Sequence, residues 1–145
     1  MPGGKRIDGF KAAVEMLQKL DLAAQQQLLA DIARQDPEMA IRLKGSLTTF
    51  DDLLYLTASM MGRLLQDTTI DDWGLALRGA NPGLANHILS LVSKNNKSDM
   101  EHYLKGPPRS LNDVMEAQKR LMEVVMKLKD KGELVLSKEK SDKYV

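Results

Sequence analysis

Two histidines and two aspartate pairs are the side chains of this 145-residue sequence best suited to a catalytic or metal site. His87 and His102 stand apart, without the His-Glu-x-x-His spacing or the carboxylate cluster that zinc and iron sites use. Asp51-Asp52 and Asp71-Asp72 would suit acid and base work if a shared environment drove their pKa values apart. Each pair instead begins two residues after a threonine, as is typical of a first helical turn, where carboxylates complement the helix dipole. The sequence therefore predicts neither a metal site nor a catalytic carboxylate pair.

Motifs for nucleotide binding and for nucleophilic catalysis are not found in the sequence. Gly74, Gly79 and Gly83 do not have the spacing of a phosphate-binding loop. Ser46 follows a glycine but lacks the Gly-x-Ser-x-Gly frame, and the sequence contains no cysteine. We therefore expect a protein that is not an enzyme and that binds no cofactor. The lack of cysteine is typical of a reducing compartment, so a cytoplasmic location is expected.

Charge and hydropathy narrow the function classes further. The 21 basic and 20 acidic side chains are interspersed and leave a formal net charge of +1, which gives no large positive field for a nucleic acid. No apolar run approaches the roughly 20 residues that a membrane-spanning helix needs. The sequence therefore predicts no nucleic-acid binding and no direct membrane insertion.

One charged segment is suited to a protein partner. Lys94 and Lys97 precede Asp99 and Glu101 on a predicted helix with few apolar residues. Such a helix carries positive charge in its first half and negative charge in its second. It is either a solvated face or an electrostatic contact surface for a partner of complementary charge.

Helical periodicity dominates the first third of the chain. Apolar residues at i, i+3, i+4 and i+7 predict a first helix whose buried face is Phe10, Ala13, Val14, Leu17 and Leu20. Asp21 is the predicted N-cap of a second helix, from Leu22 to about Arg34. Asp36-Pro37-Glu38 is a strong start signal for a third helix, which ends near Gly45.

Shorter helices with clear caps are predicted next. Hydroxyl residues three positions before an aspartate indicate three helix starts, at Thr49, Thr69 and Ser110. Gly79 and Gly106-Pro107-Pro108 predict helix ends between these starts. We expect Trp73 to be a buried anchor of this region. A longer last helix is predicted from about Leu111 to Lys131.

A similarity between two segments of the sequence indicates the architecture. Asp36-Pro37 and Asn81-Pro82 open two similar segments that lie 45 residues apart. This offset falls within the roughly 40 to 47 residue period of armadillo and HEAT repeats, in which helical units stack on one another. The sequence therefore predicts an all-α fold, either a stacked superhelical array or an ordinary helical bundle.

Several segments, taken in order, resemble one family, the C-terminal domain of the bacterial flagellar motor switch protein FliG. The segments are Lys11-Ala12-Ala13-Val14-Glu15, Phe50-Asp51-Asp52-Leu53, Arg63-Leu64-Leu65, Leu75-Ala76-Leu77-Arg78-Gly79-Ala80, Gly106-Pro107 and Gly132-Glu133. The last of them precedes a short apolar stretch at 134–136 that looks strand-like. The resemblance covers nearly the whole chain.

The resemblance implies a domain organisation. Residues 5–48 would form an armadillo-like superhelical three-helix unit, and residues 49–136 a helical bundle of six helices, of the torque-generating type. Leu47-Thr48-Thr49-Phe50 would be the hinge, with threonines at positions where the family is apolar. Residues 137–145 would follow as a polar, flexible tail.

The resemblance also implies a function in the flagellar rotor. The protein would be a component of the switch complex, cytoplasmic and peripheral at the inner face of the cell membrane in the flagellar basal body. Its expected partners are other switch-ring proteins, neighbouring copies of itself and the cytoplasmic domain of the stator. In this family a charged helix meets opposite charges of the stator, for torque generation and direction switching.

The resemblance gives five candidate stator-contact residues, Arg78, Lys94, Lys97, Asp99 and Glu101. Arg78 matches a basic position of the family. The next basic position falls on Asn95, and the family's acidic pair falls near His102-Tyr103. An alternative function is a non-motor helical adaptor or scaffold, which would bind partner proteins through a superhelical groove.

Overall fold

Every regular element in residues 2–136, the part of the chain that the computed structural model describes, is a helix. Side chains are described from residue 9 onward. The all-α prediction is therefore confirmed, while the predicted polar tail at 137–145 lies outside the described residues. The chain divides into two compact units between Thr48 and Thr49.

The first unit contains α1 (Pro2–Lys19), α2 (Leu22–Gln35) and α3 (Pro37–Ser46). The two aspartates predicted as caps begin α2 and α3. The carboxylate of Asp21 accepts the Ala24 amide at 2.9 Å, and that of Asp36 accepts the Met39 amide at 3.1 Å. These bonds satisfy first-turn amides that have no partner within the helix.

The core of the first unit is small. Leu17, Leu43 and Leu47 are buried at its centre. Partly buried apolar side chains pack around them: Phe10, Ala13, Val14, Leu20, Leu28, Leu29, Ile32 and Met39. The two sets together include the whole predicted face of α1, so that prediction is confirmed.

The second unit is a set of short helices as far as residue 136. Its elements are the 3₁₀ turn Phe50–Tyr55, α4 (Ala58–Asp67), α5 (Ile70–Ala76) with the 3₁₀ turn Leu77–Gly79, α6 (Pro82–Ser90), α7 (Lys94–Leu104) and α8 (Leu111–Asp130). The Thr69 and Ser110 hydroxyls accept the amides three residues onward, at 3.4 and 3.0 Å. The Thr49 amide donates to the Asp52 carboxylate at 2.9 Å. All three predicted helix starts are confirmed.

α5 packs against both α7 and α8 within this unit. Trp73 is fully buried, and its indole N–H donates to the Thr68 hydroxyl at 2.8 Å. The prediction that Trp73 is a buried anchor is confirmed. Its single polar atom has the acceptor that a buried indole requires.

The crossing of α5 and α7 depends on Gly74. A Cβ atom at this position would clash with the Tyr103 Cβ and would lie 2.7 Å from the Met100 carbonyl oxygen. The lack of a side chain therefore permits the close approach of the two backbones. Against α8, the Gln118 side-chain amide donates to the Ala76 carbonyl at 3.0 Å. α5 thus helps to fix both helices that flank the loop 105–110.

The segment after α8 is not a strand. Gly132, with a φ of 78°, ends the helix in the left-handed conformation. Leu134 and Leu136 are then buried in the core of the second unit. The prediction of a strand-like end is wrong, because the described residues contain no strand with which this segment could pair. Its apolar side chains serve packing instead.

Candidate protein interaction site

α7 is attached to the core through the buried Met100 and the half-buried Leu104. The Ser93 hydroxyl caps its first turn by accepting the Asn96 amide at 3.2 Å. The other side chains of the helix are exposed or half-buried. α7 therefore leaves most of its surface to solvent or to a partner.

The four charged candidates on α7 differ in accessibility. Lys94, Lys97 and Asp99 are exposed. Glu101 is half-buried and pairs with Lys105, one turn later, at 3.9 Å. An exposed i, i+4 pair of this kind contributes only about 0.3–0.5 kcal/mol to stability, so it does not hold Glu101 firmly.

The order of charges along α7 opposes the helix dipole. Lys94 lies in the first turn, where the positive end of the dipole disfavours a cation, and Glu101 lies in the last turn, where the negative end disfavours an anion. α8 has the favourable order, with Asp113 in its first turn and Lys127 in its last. The order of charges in the first and last turns of α7 therefore does not stabilise the helix through its dipole.

Arg78 is in a different environment. It is half-buried in the turn that follows α5, and its guanidinium donates to two backbone carbonyls. Nε and Nη2 donate to Tyr103 at 3.1 and 2.7 Å, and Nη1 donates to Pro107 at 2.7 Å. The structure therefore places Arg78 against the end of α7 and not on the exposed face with Lys94 and Lys97.

The four candidate hinge residues divide between the two units. Leu47 packs in the core of the first unit, and Phe50 packs against the core of the second. Thr48 is buried, and Thr49 is exposed. The boundary between the compact units falls between these two threonines.

Gln18 of α1 is a residue that sequence reasoning missed. Its side-chain amide donates to the Thr48 carbonyl at 2.7 Å, and its side-chain oxygen accepts the Thr48 amide at 2.9 Å. Both polar groups of one backbone residue are thus bound by one side chain. The contact spans 30 residues of sequence, so no local pattern could have indicated it.

The aspartate pairs serve their helices. The Asp72 carboxylate binds the Arg120 guanidinium of α8 through two contacts, at 2.8 and 3.1 Å. The pKa of Asp71 lies below its ordinary value, first because the Thr69 side chain hydrogen-bonds to the carboxylate and then because backbone amides do so. A carboxylate held in its ionised form is a poor general acid.

The histidines lie in separate places. His87 is half-buried with Nε2 2.9 Å from the Leu56 carbonyl oxygen, and because a carbonyl can only accept, Nε2 carries a proton. His102 is exposed and meets Tyr103 edge to face, with ring centroids 5.4 Å apart. Within residues 9–136, no group of three histidine, aspartate or glutamate side chains is arranged to hold a metal ion.

A cleft of about 360 Å³ lies beside the end of α7. Its lining includes three arginines, but each has a partner within the protein. Arg78 binds backbone carbonyls, Arg109 pairs with Asp113 at 3.2 Å, and Arg120 pairs with Asp72. The three guanidiniums therefore contact groups of the protein itself, although the exposed pair one turn apart holds Arg109 only weakly.

The length and apolar character needed to cross a bilayer are found in none of the described helices.

An all-α fold that exposes a polar, charged helix defines a class of protein interaction domain. Residues 30–136 match the model of the FliG C-terminal domain, and the chain belongs to that family. The resemblance drawn from the sequence is confirmed.

Two bacterial relatives show how much of a longer protein the chain spans. It is 27% identical over 135 residues to the flagellar motor switch protein FliG of Thermotoga maritima, covering 92% of this chain and 40% of that protein. It is 30% identical over 141 residues to the FliG of Bacillus subtilis, covering 94% and 41%. The chain thus spans about two fifths of the length of these curated relatives.

Solved structures of FliG share the fold. The crystal structure of FliG residues 86–343 from H. pylori matches with a TM-score of 0.68 and 25% identity, over 85% of this chain and 58% of that chain. Full-length FliG from Aquifex aeolicus matches with a TM-score of 0.55 and 26% identity, over 86% and 39%.

Proposed function

We propose that this protein is a component of the flagellar rotor switch complex, in which α7 presents charges to the stator for torque generation and direction switching. The single observation that carries this proposal is the charge order of α7. Lys94 and Lys97 come first and Asp99 and Glu101 follow, against the helix dipole, on a helix with one buried side chain. Charges that are placed against the dipole of their own helix, with three of the four exposed, are suited to a partner. Membership of the FliG C-terminal domain family supports the rotor as the setting.

Weak exposed charges are suited to a moving contact. Opposite charges attract over about a Debye length, roughly 8 Å at physiological ionic strength. An exposed ion pair contributes only about 0–1 kcal/mol. Such pairs form and break quickly as one surface passes another, whereas tight binding would stall a rotor. The partner surface is the cytoplasmic domain of the stator in this proposal.

The remaining assignments follow the same proposal. The first unit is an armadillo-like superhelical unit that contacts other switch-ring proteins and neighbouring copies, and the second is a torque-type bundle. Residues 47–50 act as the hinge between them. The protein works in the cytoplasm at the inner face of the cell membrane, within the flagellar basal body, and works by contact without catalysis.

A second candidate function rests on a different surface. A shallow groove of about 310 Å³ lies between α2 and α3 of the first unit, and nearly all of its lining is apolar: Leu29, Ala30, Ala33, Pro37, Ala40, Ile41 and Lys44. Ile41 is 71% exposed. An exposed apolar groove of small side chains favours a helical adaptor that binds a partner helix.

A double charge reversal tests the rotor function. We expect Lys94→Glu with Lys97→Glu to impair swimming severely when the variant replaces the native copy, because the stator would meet repulsive charges. The matched control is Lys119→Glu with Lys127→Glu, which makes the same charge change at exposed positions of α8. Circular dichroism and thermal unfolding would establish that both variants fold. Normal swimming of a folded Lys94→Glu, Lys97→Glu strain would count against the rotor function and favour the adaptor.

A further inference from the structure

The guanidinium of Arg78 occupies the C-terminal end of α7. Tyr103 is in the last turn of this helix, where carbonyls have no amide partner within the helix. The Lys105 amide returns to the Glu101 carbonyl at 2.9 Å. The Tyr103 carbonyl instead accepts two N–H groups of Arg78, at 3.1 and 2.7 Å. A side chain from another element thus completes the end of α7.

The charge of Arg78 has the right sign for this position. The C-terminus of a helix carries a partial negative charge, which a cation in contact with the last carbonyls stabilises. Arg78 forms no ion pair with a carboxylate of residues 9–136. Within the described residues its positive charge therefore contacts backbone carbonyls, chiefly at the end of α7.

The same guanidinium also fixes the chain that leaves α7. Nη1 donates to the Pro107 carbonyl at 2.7 Å. A Cβ atom at Gly106 would lie 3.2 Å from Nη2 and 3.3 Å from the His102 carbonyl oxygen, so glycine leaves room for the approach. Arg78 therefore ties the turn after α5 to the end of α7 and to the loop that leads into α8.

We propose that Arg78 is a positioning residue for α7, and that it acts through its fork of donors and not as a charge offered to a partner. Fixing the end of α7 fixes the line along which Lys94, Lys97 and Asp99 are displayed. The functional importance of this line of charges rests on the proposed rotor function. The binding of the helix end by the Arg78 guanidinium does not depend on that function.

Substitution of Arg78 by lysine distinguishes a positioning role from a role as a displayed charge. Lysine keeps the positive charge, but its three N–H donors share one nitrogen on a flexible stem, so it cannot reproduce the fixed geometry with which a planar fork serves two carbonyls. If Arg78 is a charge displayed to a partner, its function is kept in Arg78→Lys and lost in Arg78→Gln. If Arg78 positions α7, both substitutions damage its function.

Amide hydrogen exchange on the full chain measures the end of α7 directly. We expect Arg78→Lys to raise exchange at the amides of Leu104, Lys105, Gly106 and Arg109 by about tenfold, the size expected for losing hydrogen bonds to a charged group. Exchange in α4 should stay unchanged, because the fraying is local. The matched control is Arg63→Lys, which breaks a fork to Glu133 and Asp67, and among the described residues these partners lie outside α7 and the loop 105–110. Unchanged exchange at the end of α7 in Arg78→Lys would overturn the proposal.

Swimming assays decide whether the position of α7 matters to function. Impaired swimming in both Arg78→Lys and Arg78→Gln, with local fraying of α7, supports the positioning role. Normal swimming in Arg78→Lys, when Lys94→Glu with Lys97→Glu swims poorly, overturns the claim that the position of α7 matters to function, whether or not Arg78→Gln swims. If Lys94→Glu with Lys97→Glu swims normally while Arg78→Lys frays α7, the rotor function fails and the helix-end clamp itself is upheld.

Discussion

The indole N–H of Trp73 donates to the Thr68 hydroxyl at 2.8 Å, and that hydroxyl donates onward to the Leu64 carbonyl at 2.7 Å. Leu64 is in the last turn of α4, where carbonyls lack a partner within the helix. One hydroxyl therefore satisfies a buried donor from α5 and an acceptor at the end of α4. The contact links two successive helices of the second unit.

Removing this hydroxyl should destabilise the second unit. Thr68→Val keeps the shape of the side chain but leaves the buried indole N–H of Trp73 without an acceptor, which costs about 1–3 kcal/mol in the free energy of unfolding. Urea unfolding followed by tryptophan fluorescence measures the loss, since Trp73 is the only tryptophan in the sequence. Thr68→Ser is the control, because it keeps the hydroxyl. Equal unfolding free energies for the two variants would show that the hydrogen bond is not the cause.

The crossing of α5 and α7 gives a second prediction. Alanine is a better helix former than glycine by about 1 kcal/mol, yet Gly74→Ala should lower the free energy of unfolding. The new methyl group would lie 2.7 Å from the Met100 carbonyl oxygen, which belongs to a backbone that cannot move aside easily. Overpacking of this kind costs about 1–3 kcal/mol. The midpoint of thermal unfolding should fall accordingly.

Gly62 of α4 is the matched control for Gly74. It is exposed within the helix, and a Cβ atom there would have no neighbour within 4 Å. Gly62→Ala should therefore raise the free energy of unfolding by about 0.5–1 kcal/mol, through helix propensity alone. Two identical substitutions with opposite signs would establish that contact with α7 decides the outcome. A stabilising Gly74→Ala would contradict the close crossing.

Local chemistry was sufficient to predict most of the fold. Asp21, Asp36 and Thr69 act within three residues of their own positions, so their capping bonds could be inferred from spacing. The apolar period of α1 likewise follows from one helix alone. The end of the second unit could not be inferred in this way, because whether 134–136 forms a strand depends on a partner strand elsewhere in the chain.

The candidate site shows the same limit. The exposure of Lys94, Lys97 and Asp99 follows from a helix with few apolar residues, and it could be predicted. The contacts of Arg78 could not, because its acceptors lie 25 and 29 residues away and are backbone carbonyls, which every residue has. Side chains that bind distant backbone leave no motif in a sequence, so only the folded chain shows them.

The carboxylate of Asp71, in the first turn of α5, has a pKa below its ordinary value, mainly because the Thr69 side chain hydrogen-bonds to it. Such a group stabilises the fold above its unfolded pKa, because the ionised form is favoured in the native state. This contribution is lost as the pH falls through the lower, folded pKa. Acidification below about pH 4 should therefore weaken the second unit in part through Asp71.

A carbon-13 titration of the side-chain carboxyls tests this cause. We expect Asp71 to titrate below the ordinary value of about 3.9 in the native protein, and Thr69→Ala to raise its pKa toward that value. The loss of urea-unfolding free energy between about pH 4 and pH 2 should then be shallower in Thr69→Ala, because less of the shift remains. An Asp71 pKa that does not change in Thr69→Ala would mean that the threonine is not its main cause. The backbone amides at Asp71 and Asp72 would then have to account for the low pKa.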